Sequence, residues 1–174
     1  MSPRTNRSLV TRTAVATLLA AAGLLATHAT ARAATPAAPS DTLVNGGTLA
    51  SGAALSSGNT RLVMQQDGDL ALYTTGANGT DPQLRWHSGT TGSGNKAELR
   101  TDGNLVVTAP NGGALWQSRT GNADCLHMPW TKLALRSDGG MYILSGTDSE
   151  APYLVPLWSA TYGLQFPCGA PAAR

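Results

Sequence analysis

The stretch LVMQQDGDLALY (Leu62–Tyr73) decides the fold. Its two arms, LVMQ and DLALY, flank an Asp-Gly step at Asp67-Gly68. Asp-Gly between alternating runs is a strong hairpin signal, because glycine accepts the positive φ of a tight turn. Period-two alternation sends Leu62, Met64, Leu70 and Leu72 to one face. Val63, Gln65, Asp69, Ala71 and Tyr73 go to the other.

The same pattern returns in AELRTDGNLVVT (Ala97–Thr108) and LALRSDGGMYIL (Leu133–Leu144). The Asp-Gly steps begin at Asp67, Asp102 and Asp138, at intervals of 35 and 36 residues. A second element follows each copy and carries one tryptophan: LRWHSGT with Trp86, ALWQSRT with Trp116, and PLWSAT with Trp158. Two elements recurring in the same order mark a supersecondary unit used three times. In the second copy Leu99, Leu105 and Val107 point inward, and Arg100, Asn104, Val106 and Thr108 outward; in the third, Leu133, Leu135, Met141 and Ile143 point inward. A lone hairpin cannot bury its apolar face, but three around a pseudo-threefold axis can. The three tryptophans would fill that axis; Trp130 falls outside the pattern. The fold predicted is all-β.

The N-terminus reads as a secretory signal over residues 1–33. Arg4, Arg7 and Arg12 precede the apolar run AVATLLAAAGLLA (Ala14–Ala26), which is too short to span a bilayer, and Ala31-Arg32-Ala33 fits the small-x-small cleavage rule. No Arg-Arg pair precedes the run, which points to the general secretory route. Cleavage leaves 141 residues beginning at Ala34, enough for one domain. Residues 34–42, ATPAAPSDT, are Pro/Ala-rich and expected to be disordered, with the folded domain and its tail over 43–174. No lipobox cysteine or hydrophobic C-terminal tail is present, so a freely secreted, extracellular product is expected. Four of the 12 basic residues leave with the signal, so eight face ten acidic ones, a net charge of about −2. That balance supplies no basic stripe for nucleic acid or an anionic membrane surface. In an oxidising compartment Cys125 and Cys168 are expected to form a disulfide. Intramolecular and intermolecular pairing both remain open.

Catalytic signatures are missing. The chain after residue 33 holds two histidines, His87 and His127, and no Gly-x-Ser-x-Gly elbow, zinc-helix motif, phosphate loop or dinucleotide fingerprint. Asp67-Gly68-Asp69 hints at calcium, but the rest of an EF-hand loop is absent. No metal or cofactor is expected, and no enzymatic activity.

The repeated pattern Gln-x-Asp-x-Asn-x-Val-x-Tyr, followed by a Leu-Trp-x-Ser strand, resembles the bulb-type mannose-binding lectins. TLASGAALSSGNTRLVMQQDG (Thr48–Gly68) also looks like the segment that leads into that family's first copy. The resemblance covers roughly Leu43 to Thr161. It implies a β-prism of three four-stranded antiparallel sheets, one mannose pocket per sheet, and dimerisation by exchange of C-terminal strands. The family commonly places a cysteine after the motif Asp, where this chain has Gly68, Gly103 and Gly139. A bridge from Cys125 to Cys168 would instead pin the tail, which argues against strand exchange while an intermolecular pair would still give a homodimer.

The outward residues suit a hexose, whose adjacent hydroxyls both donate and accept. A carboxylate accepts from neighbouring hydroxyls, an amide does both, and a tyrosine hydroxyl closes the far side. The first copy keeps Gln65, Asp67 and Tyr73 but has Asp69 for Asn and Ala71 for Val. Asp69 is expected to repel Asp67. The second copy keeps Asp102, Asn104 and Val106, with Arg100 for Gln and Thr108 for Tyr. The third keeps only Asp138; Arg136, Gly140, Tyr142 and Leu144 replace the rest, and Tyr142 fills the room a sugar needs. The expected function is a secreted lectin for mannose-containing or related glycans. The alternative is a protein-interaction or lectin-like toxin module with degenerate sugar sites.

Overall fold

The computed structural model describes residues 40–76, 79–121, 130–148, 153–165 and 168. The chain enters as three short strands, β1 (Thr42–Val44), β2 (Thr48–Leu49) and β3 (Ala54–Ser57). Three repeats follow. They are β4 (Thr60–Met64), β5 (Leu70–Thr74) and β6 (Gln83–His87); β7 (Lys96–Leu99), β8 (Leu105–Thr108) and β9 (Ala114–Gln117); and β10 (Trp130–Leu135), β11 (Met141–Gly146) and β12 (Val155–Ser159). A last strand, β13 (Gly163–Leu164), follows the third. Each repeat builds one antiparallel sheet, and the entering strands complete the sheets in reverse: β3-β4-β5-β6, β2-β7-β8-β9 and β1-β10-β11-β12-β13.

The pseudo-threefold relation holds at the level of register. Arg61 faces Tyr73, Lys96 faces Thr108 and Lys132 faces Leu144 across the three hairpins. A bulge interrupts the third strand's pairing at equivalent places: Leu72/Tyr73, Val107/Thr108 and Ile143/Leu144. Each hairpin closes through three residues. Gln65 N–H donates to Asp69 O and Gly68 N–H to Gln65 O, and Arg100/Asn104 and Arg136/Gly140 repeat this closure. Gly68, at φ 95°, supplies the left-handed third residue of a turn-plus-bulge loop. Asp67 therefore stands on the loop tip, not on a strand face.

The inward residues pack as expected. Leu62, Met64, Leu70, Leu99, Leu105 and Ile143 are wholly buried in one core. Trp86, Trp116 and Trp158 meet at the centre, with ring centroids 5.1, 5.4 and 5.8 Å apart and interplanar angles of 69°, 81° and 74°. Three edge-to-face contacts close a ring, the arrangement that the aromatic quadrupole favours.

Three expectations change. The third sheet has five strands, not four, because the chain after β12 turns at Ala160–Tyr162 and lays β13 back on it, with Trp158 facing Leu164. Order begins within the segment expected to be disordered. Ser40 O accepts from Ser56 N–H and Asp41 O from Leu135 N–H, so Thr42 enters the sheet already anchored. Outward direction in the second hairpin also does not mean exposure, for Val106 is 0 % and Thr108 3 % exposed. Trp130 opens β10, and the Lys132 ammonium lies 5.0 Å from its ring centroid. Cys168 is buried against the core, whereas Cys125 and hence the Cys125–Cys168 pairing lie outside the described residues, as do His127 and the signal segment.

Candidate functional site

The first sheet brings Gln65, Asp67, Asp69, Ala71 and Tyr73 together on its outer side. Gln65 directly follows β4 and Tyr73 lies on β5; the Gln65 Nε2 donates to the Tyr73 hydroxyl at 3.1 Å. Accepting that bond leaves the phenolic proton to donate elsewhere, and Gln65 keeps its Oε1 as an acceptor. Asp67 is exposed on the tip, where its Oδ1 accepts the Asp69 N–H at 3.2 Å. The same bond recurs at Asp102 to Asn104 (2.9 Å) and Asp138 to Gly140 (3.0 Å). One oxygen of each motif aspartate holds its own turn, and at the exposed Asp67 the other is left for a ligand.

Asp69 has a different role from the one its motif position suggests. Its Oδ1 accepts from Ser88 Oγ at 2.8 Å, Gly89 N–H at 2.9 Å and Thr90 N–H at 3.2 Å. Its Oδ2 meets His87 Nδ1 at 2.8 Å. A carboxylate only accepts, so Nδ1 carries the proton there. Asp69 thus clasps β5 to the end of β6. Burial alone would push its pKa up, but the bonds from Ser88 and His87, the imidazole's charge and the Thr90 N–H outweigh burial and hold it below the usual carboxylate range. The expected repulsion from Asp67 does not govern this group, because its donors do. With its oxygens met by protein donors, Asp69 is also a poor calcium ligand.

The second sheet repeats the clasp in neutral form. Asn104 Oδ1 accepts from Ser118 Oγ at 3.0 Å, and its Nδ2 donates to Gln117 Oε1 at 3.1 Å. Ser88 and Ser118 each also accept a strand N–H, from Leu70 and Leu105, and each pairs with a threonine, Thr90 or Thr120, that donates to the Gly68 or Gly103 carbonyl. The sequence reading missed these residues, although Trp-x-Ser-x-Thr recurs in LRWHSGT and ALWQSRT and was the available signal. In the third copy, WSAT, Ala160 takes the serine's place, its N–H donating to Met141 O as those of Ser88 and Ser118 donate to Leu70 O and Leu105 O. Gly140 brings no side chain, so the clasp cannot form.

The second site is closed at its base. Asn104 is 7 % exposed and Val106 is fully buried, while the Thr108 hydroxyl is buried without a hydrogen-bond partner. Asp102 and Arg100 stay more accessible, but a Cβ at Gly121 would lie 2.8 Å from Asp102 Oδ2, so the chain passes directly over that carboxylate. In the third sheet Tyr142 stands at the motif's Val position, with the Arg136 guanidinium 5.7 Å from its ring centroid. Among the described residues, Gln65, Asp67 and Tyr73 are therefore the set that both keeps the motif's own residue types and stays accessible.

Asp69→Asn tests the clasp. Asparagine keeps the Oδ1 acceptor but turns an N–H₂ toward His87 Nδ1, a loss of about 1–2 kcal/mol at neutral pH. A carboxylate whose folded pKa is depressed stabilises above its unfolded pKa, and that contribution disappears as pH falls through the folded value. Urea titrations should therefore show the gap between wild type and Asp69→Asn narrowing from pH 7 toward pH 3. An equal gap at both values would remove the charged clasp from the account.

No protein-family model matches the chain. A mannose-specific lectin of Aloe arborescens is 32% identical over 109 residues, 61% of this chain and 83% of that protein. Among solved structures, the monomeric monocot mannose-binding lectins of Gastrodia elata superpose with a TM-score of 0.55 at 28% identity, over 72% of this chain and 100% of theirs. Polygonatum cyrtonema lectin complexed with monomannoside gives a TM-score of 0.51 at 28% identity, over 65% and 99%. With its three Asp-Gly hairpins, its tryptophan ring and this degree of identity, the chain belongs to the bulb-type, or monocot, mannose-specific lectin family.

Proposed function

We propose that the protein is a lectin that binds terminal mannose through the first sheet. The observation that carries this reading is the Gln65–Tyr73 bond beside an exposed Asp67, which presents a carboxylate oxygen, an amide oxygen and a phenolic proton to one small area. Two neighbouring hydroxyls of a hexose match that set, one donating to Asp67 and one bridging Gln65 and Tyr73. Asp69 and Ala71 act beneath it, as the clasp and as a small floor. So shallow a site gives a Kd on the order of 1 mM per sugar.

The same residues support binding without catalysis. Ser88 and His87 both bond to Asp69 and not to each other, so the imidazole is not set against the hydroxyl, and the carboxylate that is has its pKa lowered and is a weak base. The pairing of β13 with β12 of its own chain supports a self-contained prism over a strand-exchanged homodimer. The apolar run and Ala31-Arg32-Ala33 support export.

Calorimetric titration of exported protein with methyl α-mannoside tests the proposal, with the N-terminus mapped by intact mass. A chain starting at Ala34 is expected, and one retaining residues 1–33 would overturn the export reading. Asp67→Asn keeps the Oδ1 that holds the turn and replaces the outward oxygen, so affinity should fall about tenfold or more. Asp102→Asn should change it little. Binding lost at Asp102 and kept at Asp67 would move the site to the second sheet. No saturation from folded wild type would favour the interaction module instead.

A further inference from the structure

The third sheet, which has lost its mannose motif, carries a groove of different chemistry. Its cavity, about 460 Å³, is lined by Lys132, Ala134, Arg136, Tyr142 and Leu144. The internal symmetry shows how it differs from the second sheet. Arg61, Lys96 and Lys132 occupy one equivalent position, opposite Tyr73, Thr108 and Leu144. In the second sheet the cation is neutralised in place, since Lys96 Nζ lies 3.5 Å from Glu98. Ala134 stands where Glu98 does, and no described acid lies within ion-pair distance of Lys132 or Arg136. Each cation instead sits over an aromatic ring, Lys132 on Trp130 at 5.0 Å and Arg136 on Tyr142 at 5.7 Å. A ring face orients a cation without cancelling its charge. Asp41, the one acid lining the cavity among the described residues, leaves these three charges at +1.

We infer that this groove binds an acidic oligosaccharide bearing carboxylates, such as a short chain of uronic acid units. Lys132 on β10 and Arg136 just past its end stand four residues apart, about 13 Å between Cα atoms by the rise of a β-strand. Each charge is held over its own ring, Trp130 or Tyr142, so a ligand that engages both in place carries an anion for each. Tyr142 and Leu144 supply an apolar floor between the cations for the C–H faces of a sugar. The chain's net acidity after residue 33 opposes long polyanions such as nucleic acid and leaves a local match to a short one.

The test titrates the full chain with tri-galacturonate and with its methyl ester, which keeps the sugar backbone and removes the charge. Saturable binding is expected for the acid, about tenfold weaker for the ester, and weaker still as salt rises. Arg136→Gln and Lys132→Gln, both at accessible side chains, should each lower affinity for the acid about fivefold while mannoside binding stays as in wild type. Equal binding of acid and ester, no saturation by the acid, or affinity unchanged in both variants would overturn the inference. Because the mannoside titration runs alongside, failure here is separable from failure of the first-sheet site.

Discussion

Trp158→Ala should lower the melting temperature by roughly 10–15 °C, the largest loss of any single core truncation in this chain. Trp158 is 5 % exposed and contacts both other tryptophans edge to face. Removing it opens a cavity where all three sheets meet, and Phe or Trp to Ala truncations in cores cost about 3–5 kcal/mol. Two of the three ring contacts go with it, each worth about 0.5–1.5 kcal/mol beyond area. The site cannot collapse to fill the gap, since moving one sheet inward pulls against hairpins on the other two. Trp158→Phe keeps an aromatic edge and should recover much of the loss. A melting temperature within a few degrees of wild type for Trp158→Ala would show that the ring is peripheral to stability.

Gly68→Ala should cost about 3 kcal/mol or more and should weaken mannoside binding with it. Two independent penalties coincide there. Its φ of 95° is strained for any residue with a Cβ, and an added Cβ would lie 2.2 Å from Gly92 O and 2.5 Å from Gly92 N. Those are backbone atoms and cannot rotate aside. The crossing is tied down further: Gly92 N–H donates to Asp67 O at 2.7 Å, while Thr90 Oγ1 and Asn95 Nδ2 both donate to Gly68 O. Shifting the loop to admit a methyl would move Asp67 itself. Gly139→Ala is the control, with a φ of 96° but a Cβ that would meet only the Thr74 methyl at 2.8 Å. Chemical denaturation of the two variants should separate the shared backbone strain from the clash unique to Gly68. Equal losses would mean that the Gly92 contact relaxes freely.

The hairpins, their inward faces and the tryptophan axis were legible because each rests on a local pattern: alternation, an Asp-Gly step, a recurring Trp. Thr48–Leu49 and Gly163–Leu164 were not, since two residues carry no period and become strands only by pairing with β7 and β12. The motif residues were found by position, but their division of labour was hidden. That Asp69 is occupied follows from Ser88, Gly89 and Thr90 arriving 19 to 21 residues later, a distance no local pattern reports. Burial of Val106 was hidden for a related reason, because alternation assigns a face and says nothing of what lies over it.

The entering ribbon of β1, β2 and β3 places one strand in each sheet, with Thr42 facing Ala134. Repeat arrays of the solenoid kind add stability unit by unit, because each unit touches only its neighbours. Here no unit is whole without a piece of chain made before all of them. The three repeats are therefore bound to a common fate: an added or deleted repeat would leave a ribbon of the wrong length. Folding must also wait for the last hairpin to find the first strand, so the prism closes late and all at once.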